Sequence, residues 1–189
     1  MKKNKAKFLS LCFIPLIIIS AAQASPWADP GDSSLRADVE ILANYGLING
    51  PVNNWPIPWK QITRDLHNAG EMNLPSYVFA ALSRVQEKIP HKIAVNAKAY
   101  YTNKVDYFRG FEDSSRGKAE IESSLEFNFS DTSINLNAHY IDNDDFNFDG
   151  SYINHDFGNW SVFAGSVERW WGPGRETTTL LSTNARPMP

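Results

Sequence analysis

The sequence has one cysteine, Cys12, and it lies inside an apolar N-terminal run, Phe8 to Ile19, broken only by Ser10 and Pro15. Lys2, Lys3, Lys5 and Lys7 precede that run with no acid among them, and Ala22-Gln23-Ala24 follows it with the small-x-small pattern that signal peptidase accepts. A cleavable export signal over residues 1–24 is therefore expected, with cleavage between Ala24 and Ser25. The run is too short for a permanent membrane helix, which needs about 20 apolar residues. Once the signal is removed no thiol is left, which excludes disulfides, a cysteine nucleophile and a lipid anchor on cysteine.

Basic charge is scarce as well. Without the signal, fourteen Lys and Arg face twenty-one Asp and Glu, a formal charge of −7, so nucleic acid is not an expected partner. No later segment approaches 18 consecutive apolar residues, so any association with a membrane must come from strands. Solenoid repeats, low-complexity tracts, phosphate loops, dinucleotide fingerprints and Gly-x-Ser-x-Gly elbows are all missing. His67, His91, His139 and His155 are scattered with no spacing suited to zinc, so neither a metal nor a cofactor is expected.

The chain does contain two halves with different periods. From Pro30 to Ile89 the apolar spacing is helical. Asp32 is placed to cap a helix carrying Leu35, Val39 and Leu42, and Gly46 to stop it. A second helix presents Trp59, Ile62, Leu66 and Ala69 and ends at Gly70; a third opens near Pro75, carries Val78, Leu82, Val85 and Ile89, and closes at Pro90. Residues 25–90 thus read as a small helical bundle.

Beyond Pro90 the period becomes two. Ile93, Val95, Ala97, Ala99 and Tyr101 alternate with Ala94, Asn96, Lys98, Tyr100 and Thr102. Between Gly117 and Phe129, Ile121, Leu125, Phe127 and Phe129 face one way and Glu120, Glu122, Ser124 and Glu126 the other, over a span longer than a soluble strand of about 5 to 6 residues. Further strands are expected around Ile134 to Ile141, over residues 151–157 and, after the hairpin signal Gly158-Asn159, over residues 160–167.

The connections alternate between long and short: about fourteen residues, three, nine and two. Outer-membrane barrels show the same asymmetry, with short periplasmic turns and long outer loops. Residues 91–189 therefore read as the first strands of an antiparallel outer-membrane β-barrel, incomplete in this chain, and the fold as mainly β with an N-terminal helical bundle. A soluble antiparallel sheet with one wet face also alternates and stays open at this point.

Glu168-Arg169-Trp170-Trp171-Gly172-Pro173-Gly174-Arg175 is the least ordinary stretch. Indole faces stack on the C–H surfaces of pyranoses, and a guanidinium binds a uronate carboxylate bidentately, so Arg169, Trp170, Trp171 and Arg175 are candidate sugar contacts. An interfacial aromatic pair beside a tight turn is the competing account. This segment, with Leu180 to Pro187 behind it, resembles the Wzi family of capsule-assembly outer-membrane proteins, and so do Ser25-Pro26-Trp27, Pro30-Gly31-Asp32, Trp55-Pro56 with Trp59, and Asp149-Gly150-Ser151-Tyr152.

The resemblance runs in order through the chain after the signal. It implies a periplasmic bundle joined to a large closed barrel in outer-membrane lipid that binds capsular polysaccharide as a lectin, holds it at the cell surface and possesses no catalytic residues; capsule export machinery is a further candidate partner. The departure is length, because family members continue well past Pro189. Five or six strands do not close a barrel, for which eight is the usual minimum, so a truncated fragment that fails to insert stably alone is expected.

The sequence admits three other readings. Asp145-Phe146-Asn147-Phe148-Asp149-Gly150, with Asp156 beyond, matches the opening of a calcium loop, although its flanks are strands. Glu168 and Glu176 flank the tryptophans as two carboxylates that glycoside hydrolysis would need, which makes a soluble periplasmic glycan-binding or glycan-hydrolysing β protein the alternative. A soluble periplasmic interaction module is the third.

Overall fold

The computed structural model describes residues 26–187 except for His91, Tyr107, Asp113, residues 143–145, Asn159 and Thr179. The export signal and its Ala24-Ser25 junction lie outside the described residues, as do His91, Asp145 and Asn159 of the motifs above.

The first half runs β1 (Trp27–Ala28), α1 (Ser33–Asn44), β2 (Asn54–Trp55), β3 (Ile57–Pro58), α2 (Trp59–Asp65), a 3-10 turn (Ala69–Glu71) and α3 (Ser76–Glu87). Asp32 caps α1 as its position suggests, with Oδ1 accepting the Leu35 N–H at 2.9 Å. The stripe Leu35, Val39 and Leu42 is buried in one core with Val78, Leu82 and Val85 of α3. The second helix is shorter than its periodicity suggests: it ends at Asp65, and the stripe continues through a turn in which Leu66 and Ala69 are still buried. Two polar groups compete with the ladder there. The Thr63 hydroxyl donates back to the Trp59 carbonyl at 2.9 Å, and the Asp65 carboxylate accepts the Asn49 N–H at 2.9 Å.

The second half is a five-stranded antiparallel meander in chain order: β4 (Ile93–Tyr101), β5 (Ala119–Phe129), β6 (Thr132–Ile141), β7 (Tyr152–Phe157) and β8 (Trp160–Gly165). The register lines up Ile93, Phe127, Ile134, Ile153 and Ala164 on one face. On the other face Asn96, Ser124 and Asn137 form one row, and Lys98, Glu122 and His139 the next. Gly165, at φ +138, ends β8 where a Cβ would lie 2.3 Å from the Ser151 carbonyl oxygen.

The polarity of this sheet is the reverse of a soluble one. Glu120 is 4% exposed while its neighbour Ile121 is 59% exposed, and the apolar row as a whole faces out. A water-soluble sheet with one wet face buries its apolar side. Lipid-facing strands do the opposite, with a polar lumen behind them. At the end carrying the short turns, Phe129, Phe157 and Trp160 are exposed, and the Phe127 and Phe129 rings stack with centroids 6.3 Å apart. No helix among the described residues is long and apolar enough to cross a membrane.

A last strand, β9 (Trp170–Trp171), leaves the meander and pairs antiparallel with β2, while Phe111 from the long β4–β5 connection enters the same helical core. The helical half and the sheet are thereby fastened across the Pro90 boundary.

Candidate functional site

Two features are built where the halves meet. The first is the segment singled out by sequence. A strand sends successive side chains to opposite sides, so the paired tryptophans part company. Trp170 is 0% exposed; its indole N–H donates to the Gly174 carbonyl at 3.0 Å, and its ring meets Phe111 edge-on at 5.8 Å. An indole without a free face cannot stack on a pyranose, so the sugar contact expected of Trp170 is corrected to a core anchor. Trp171 points the other way and is 41% exposed. Arg169 lies with its guanidinium 5.3 Å from the Phe163 ring, and Arg175 donates to Glu40 at 2.7 Å. The four residues therefore do not converge on one pocket.

The turn between them is held from α1. Arg36, fully buried, donates to the carbonyls of Gly174 at 3.0 Å, Pro173 at 2.8 Å and Gly172 at 3.4 Å, and its guanidinium lies 4.5 Å from the centre of the Phe111 ring. Glu40 accepts from Arg36 at 2.8 Å and from Arg175 at 2.7 Å, joining the helix to both ends of the turn. Sequence reasoning missed Arg36, although an arginine at i to Glu40 at i+4, interleaved with a buried stripe, was a readable signal.

Glu168 is likewise committed. It accepts from Arg109 at 3.0 Å and from Arg116 at 2.7 Å, and both guanidiniums also donate to the Thr183 carbonyl at 2.9 Å. Glu168 thus serves as the pivot of an arginine pair that fastens the β4–β5 connection to the Thr183 segment. In the acidic loop, Asp149 pairs with Arg186 at 2.7 Å, and no group of three or more His, Cys, Asp or Glu among the described residues is arranged to hold a metal ion.

The second feature is a cleft of about 560 Å³ between the polar face of the sheet and residues 29–35. Carboxylates dominate its walls, among them Asp29, Glu120, Glu122 and Glu126, with Lys98, Arg109 and Arg116 as the bases. Most are paired: Glu120 with His139 at 2.7 Å, Glu122 with Lys98 at 3.7 Å, and Glu126 with the Tyr152 hydroxyl at 3.0 Å. At its rim, burial works to raise the Asp32 carboxyl, but Lys88, the Ser34 hydroxyl and the Leu35 N–H together hold it below its ordinary value.

An open sheet with an apolar outer face, a charged inner face and a helical unit packed at its margin defines the class: a wall of the kind of β-barrel that crosses membranes. The comparisons identify the family. The profile of the capsule assembly protein Wzi family matches residues 84–189, so the chain belongs to that family. It is 30% identical over 169 residues to an uncharacterized 55.8 kDa protein in the cps region of Klebsiella pneumoniae, a match that spans 83% of this chain and 32% of that protein. It is similar in fold, with a TM-score of 0.74 and 22% identity, to Wzi, described as an outer membrane protein involved in group 1 capsule assembly in Escherichia coli and a carbohydrate binding β-barrel; 87% of this chain and 38% of that one are covered. The chain thus spans about a third of the length of these relatives.

Proposed function

We propose that this chain forms part of an outer-membrane barrel that binds capsular polysaccharide as a lectin, without cleaving it, and helps hold capsule at the cell surface. The observation that carries the reading is the inverted sheet: an apolar belt of the kind that lipid or detergent satisfies, backed by a polar lumen. Residues 25–90 form the periplasmic bundle and residues 91–189 contribute barrel wall, with export machinery as a candidate partner of the bundle. Arg169, Trp171 and Arg175 supply the outer sugar contacts, the guanidiniums for acidic residues and the indole for stacking, while Trp170 anchors the turn that presents them.

Two measurements test this. In detergent micelles, nitroxide labels at Leu125 and Leu136 should be relaxed by oxygen and labels at Ser124 and Asn137 by a water-soluble nickel chelate. The reverse order, or full solubility without detergent, would remove the membrane reading. With an acidic capsular polysaccharide the protein should show saturable binding and release no reducing ends; accumulating reducing ends would move it to the hydrolase class.

A further inference from the structure

A second opening, of about 700 Å³, lies at the end of the sheet that carries the short turns. One wall is α2 with the turn that follows it, and the other is the β7–β8 hairpin. Lys60, Arg64 and His67 stand at i, i+4 and i+7, so a single stripe of α2 and its following turn brings all three to the opening. The hairpin contributes Asp156, Gly158, Trp160 and Ser161. Lys60 Nζ donates to the Gly158 carbonyl at 3.4 Å, which ties the two walls together.

The charge here is the opposite of that in the 560 Å³ cleft. Asp156 is the only acid among the described lining residues, against the permanent cations Lys60 and Arg64. Arg64 is the less committed of the two. Its side chain is 69% exposed and meets Asp65 only through Nε, at 3.3 Å, while the other oxygen of that carboxylate accepts the Asn49 N–H at 2.9 Å. Its terminal guanidinium nitrogens have no hydrogen-bond partner among the described residues. The opening therefore favours an anion.

Position decides which anion. Trp160 is 78% exposed and shares the apolar outer face with Val162, and Phe129 and Phe157 are exposed at the same end of the sheet. Aromatic belts mark the level of lipid headgroups, and short turns mark the periplasmic end of a barrel. A phospholipid can place its phosphate on the α2 cations and its acyl chains along Trp160 and Val162. A free phosphate or an acidic glycan has no apolar part to set there.

We propose that Lys60 and Arg64 bind the headgroup phosphate of an anionic phospholipid in the periplasmic leaflet, with the His67 imidazole at the edge of the site and Trp160 against the upper acyl chain. The site rests on the membrane reading above, and it fastens the helical half to the barrel rim through a lipid.

Native mass spectrometry of the full chain, released from neutral detergent micelles supplied with dioleoylphosphatidylglycerol or dioleoylphosphatidylcholine, tests it. The wild type should retain phosphatidylglycerol in preference to phosphatidylcholine, and Lys60→Gln and Arg64→Gln should each lower that occupancy about fivefold. Ser161→Asp leaves both cations in place and sets a carboxylate on the opposite wall, so it should lower occupancy as well. All three residues are exposed, so circular dichroism should stay that of the wild type. Occupancy unchanged by these variants, or no preference over phosphatidylcholine, would overturn the site. Displacement of the lipid by inorganic phosphate would reduce the opening to a general anion site, and displacement by an acidic capsular polysaccharide would make it a glycan subsite; either result would overturn the lipid assignment. If the preference is missing while the Leu125 and Leu136 labels report lipid, the headgroup site falls alone; labels that report water take the membrane reading down with it.

Discussion

Trp170 and Trp171 are chemically alike and adjacent, yet the strand that carries them gives one to the core and the other to the surface. Their alanine variants should separate accordingly. Trp170→Ala removes a fully buried indole and its bond to Gly174, and truncations of that kind cost about 3–5 kcal/mol. Trp171→Ala should move stability by no more than about 0.5 kcal/mol while weakening polysaccharide binding. Urea unfolding in detergent beside a glycan titration reads both, and equal destabilisation by the two variants would contradict the assignment. Arg36 poses a sharper case. Arg36→Leu strips the Gly172 and Pro173 carbonyls of their donor, leaves Gly174 with the Trp170 indole and Glu40 with only Arg175, so a loss on the order of 3 kcal/mol is expected, as for other broken buried pairs. If the variant unfolds like the wild type, the turn is held by Trp170 and the backbone pairing of β2 with β9 alone.

Among the elements, α1 couples stability to pH through its cap. The folded pKa of Asp32 lies below its unfolded value of about 3.9, so the cap and the Lys88 pair stabilise the fold fully above that pH and lose their effect as pH falls through the folded pKa. Asp32→Asn keeps a side-chain oxygen for the Leu35 N–H but abolishes the pair, so its melting temperature should sit below wild type at pH 7 and converge with it as the pH falls through the folded pKa; curves that stay parallel on acidification would place the effect elsewhere. The same helix shows what could be read beforehand. Asp32, the stripe Leu35, Val39 and Leu42, and the existence and order of β4 to β7 were legible because capping and periodicity are local. The site was less so. The pairing of β2 with β9, the entry of Phe111 into the helical core and the grip of Arg109 and Arg116 on Glu168 join residues far apart in sequence, and no local period announces them. A two-residue strand was also too short to show by alternation that Trp170 and Trp171 diverge.

For the molecule as a whole, the question is which solvent meets the apolar face. Leu136 lies mid-strand on β6, is 59% exposed, and has Leu125 opposite it in the register. In water, a substitution at so open a position would change stability by about 0.5 kcal/mol or less. Against hydrocarbon, an arginine near the midplane of a barrel wall costs about 2–4 kcal/mol, with less toward the interfaces. Leu136→Arg should therefore destabilise the micelle-embedded protein on the larger scale, whereas Thr132→Arg, near the short-turn end of the same strand, should cost far less. Depth dependence is the discriminating feature, because a soluble sheet has no midplane and would show two small, equal effects. Folding titrations in urea from one detergent batch give both values, and a Leu136→Arg cost no greater than that of Thr132→Arg would mean that the exposed apolar belt faces something other than lipid.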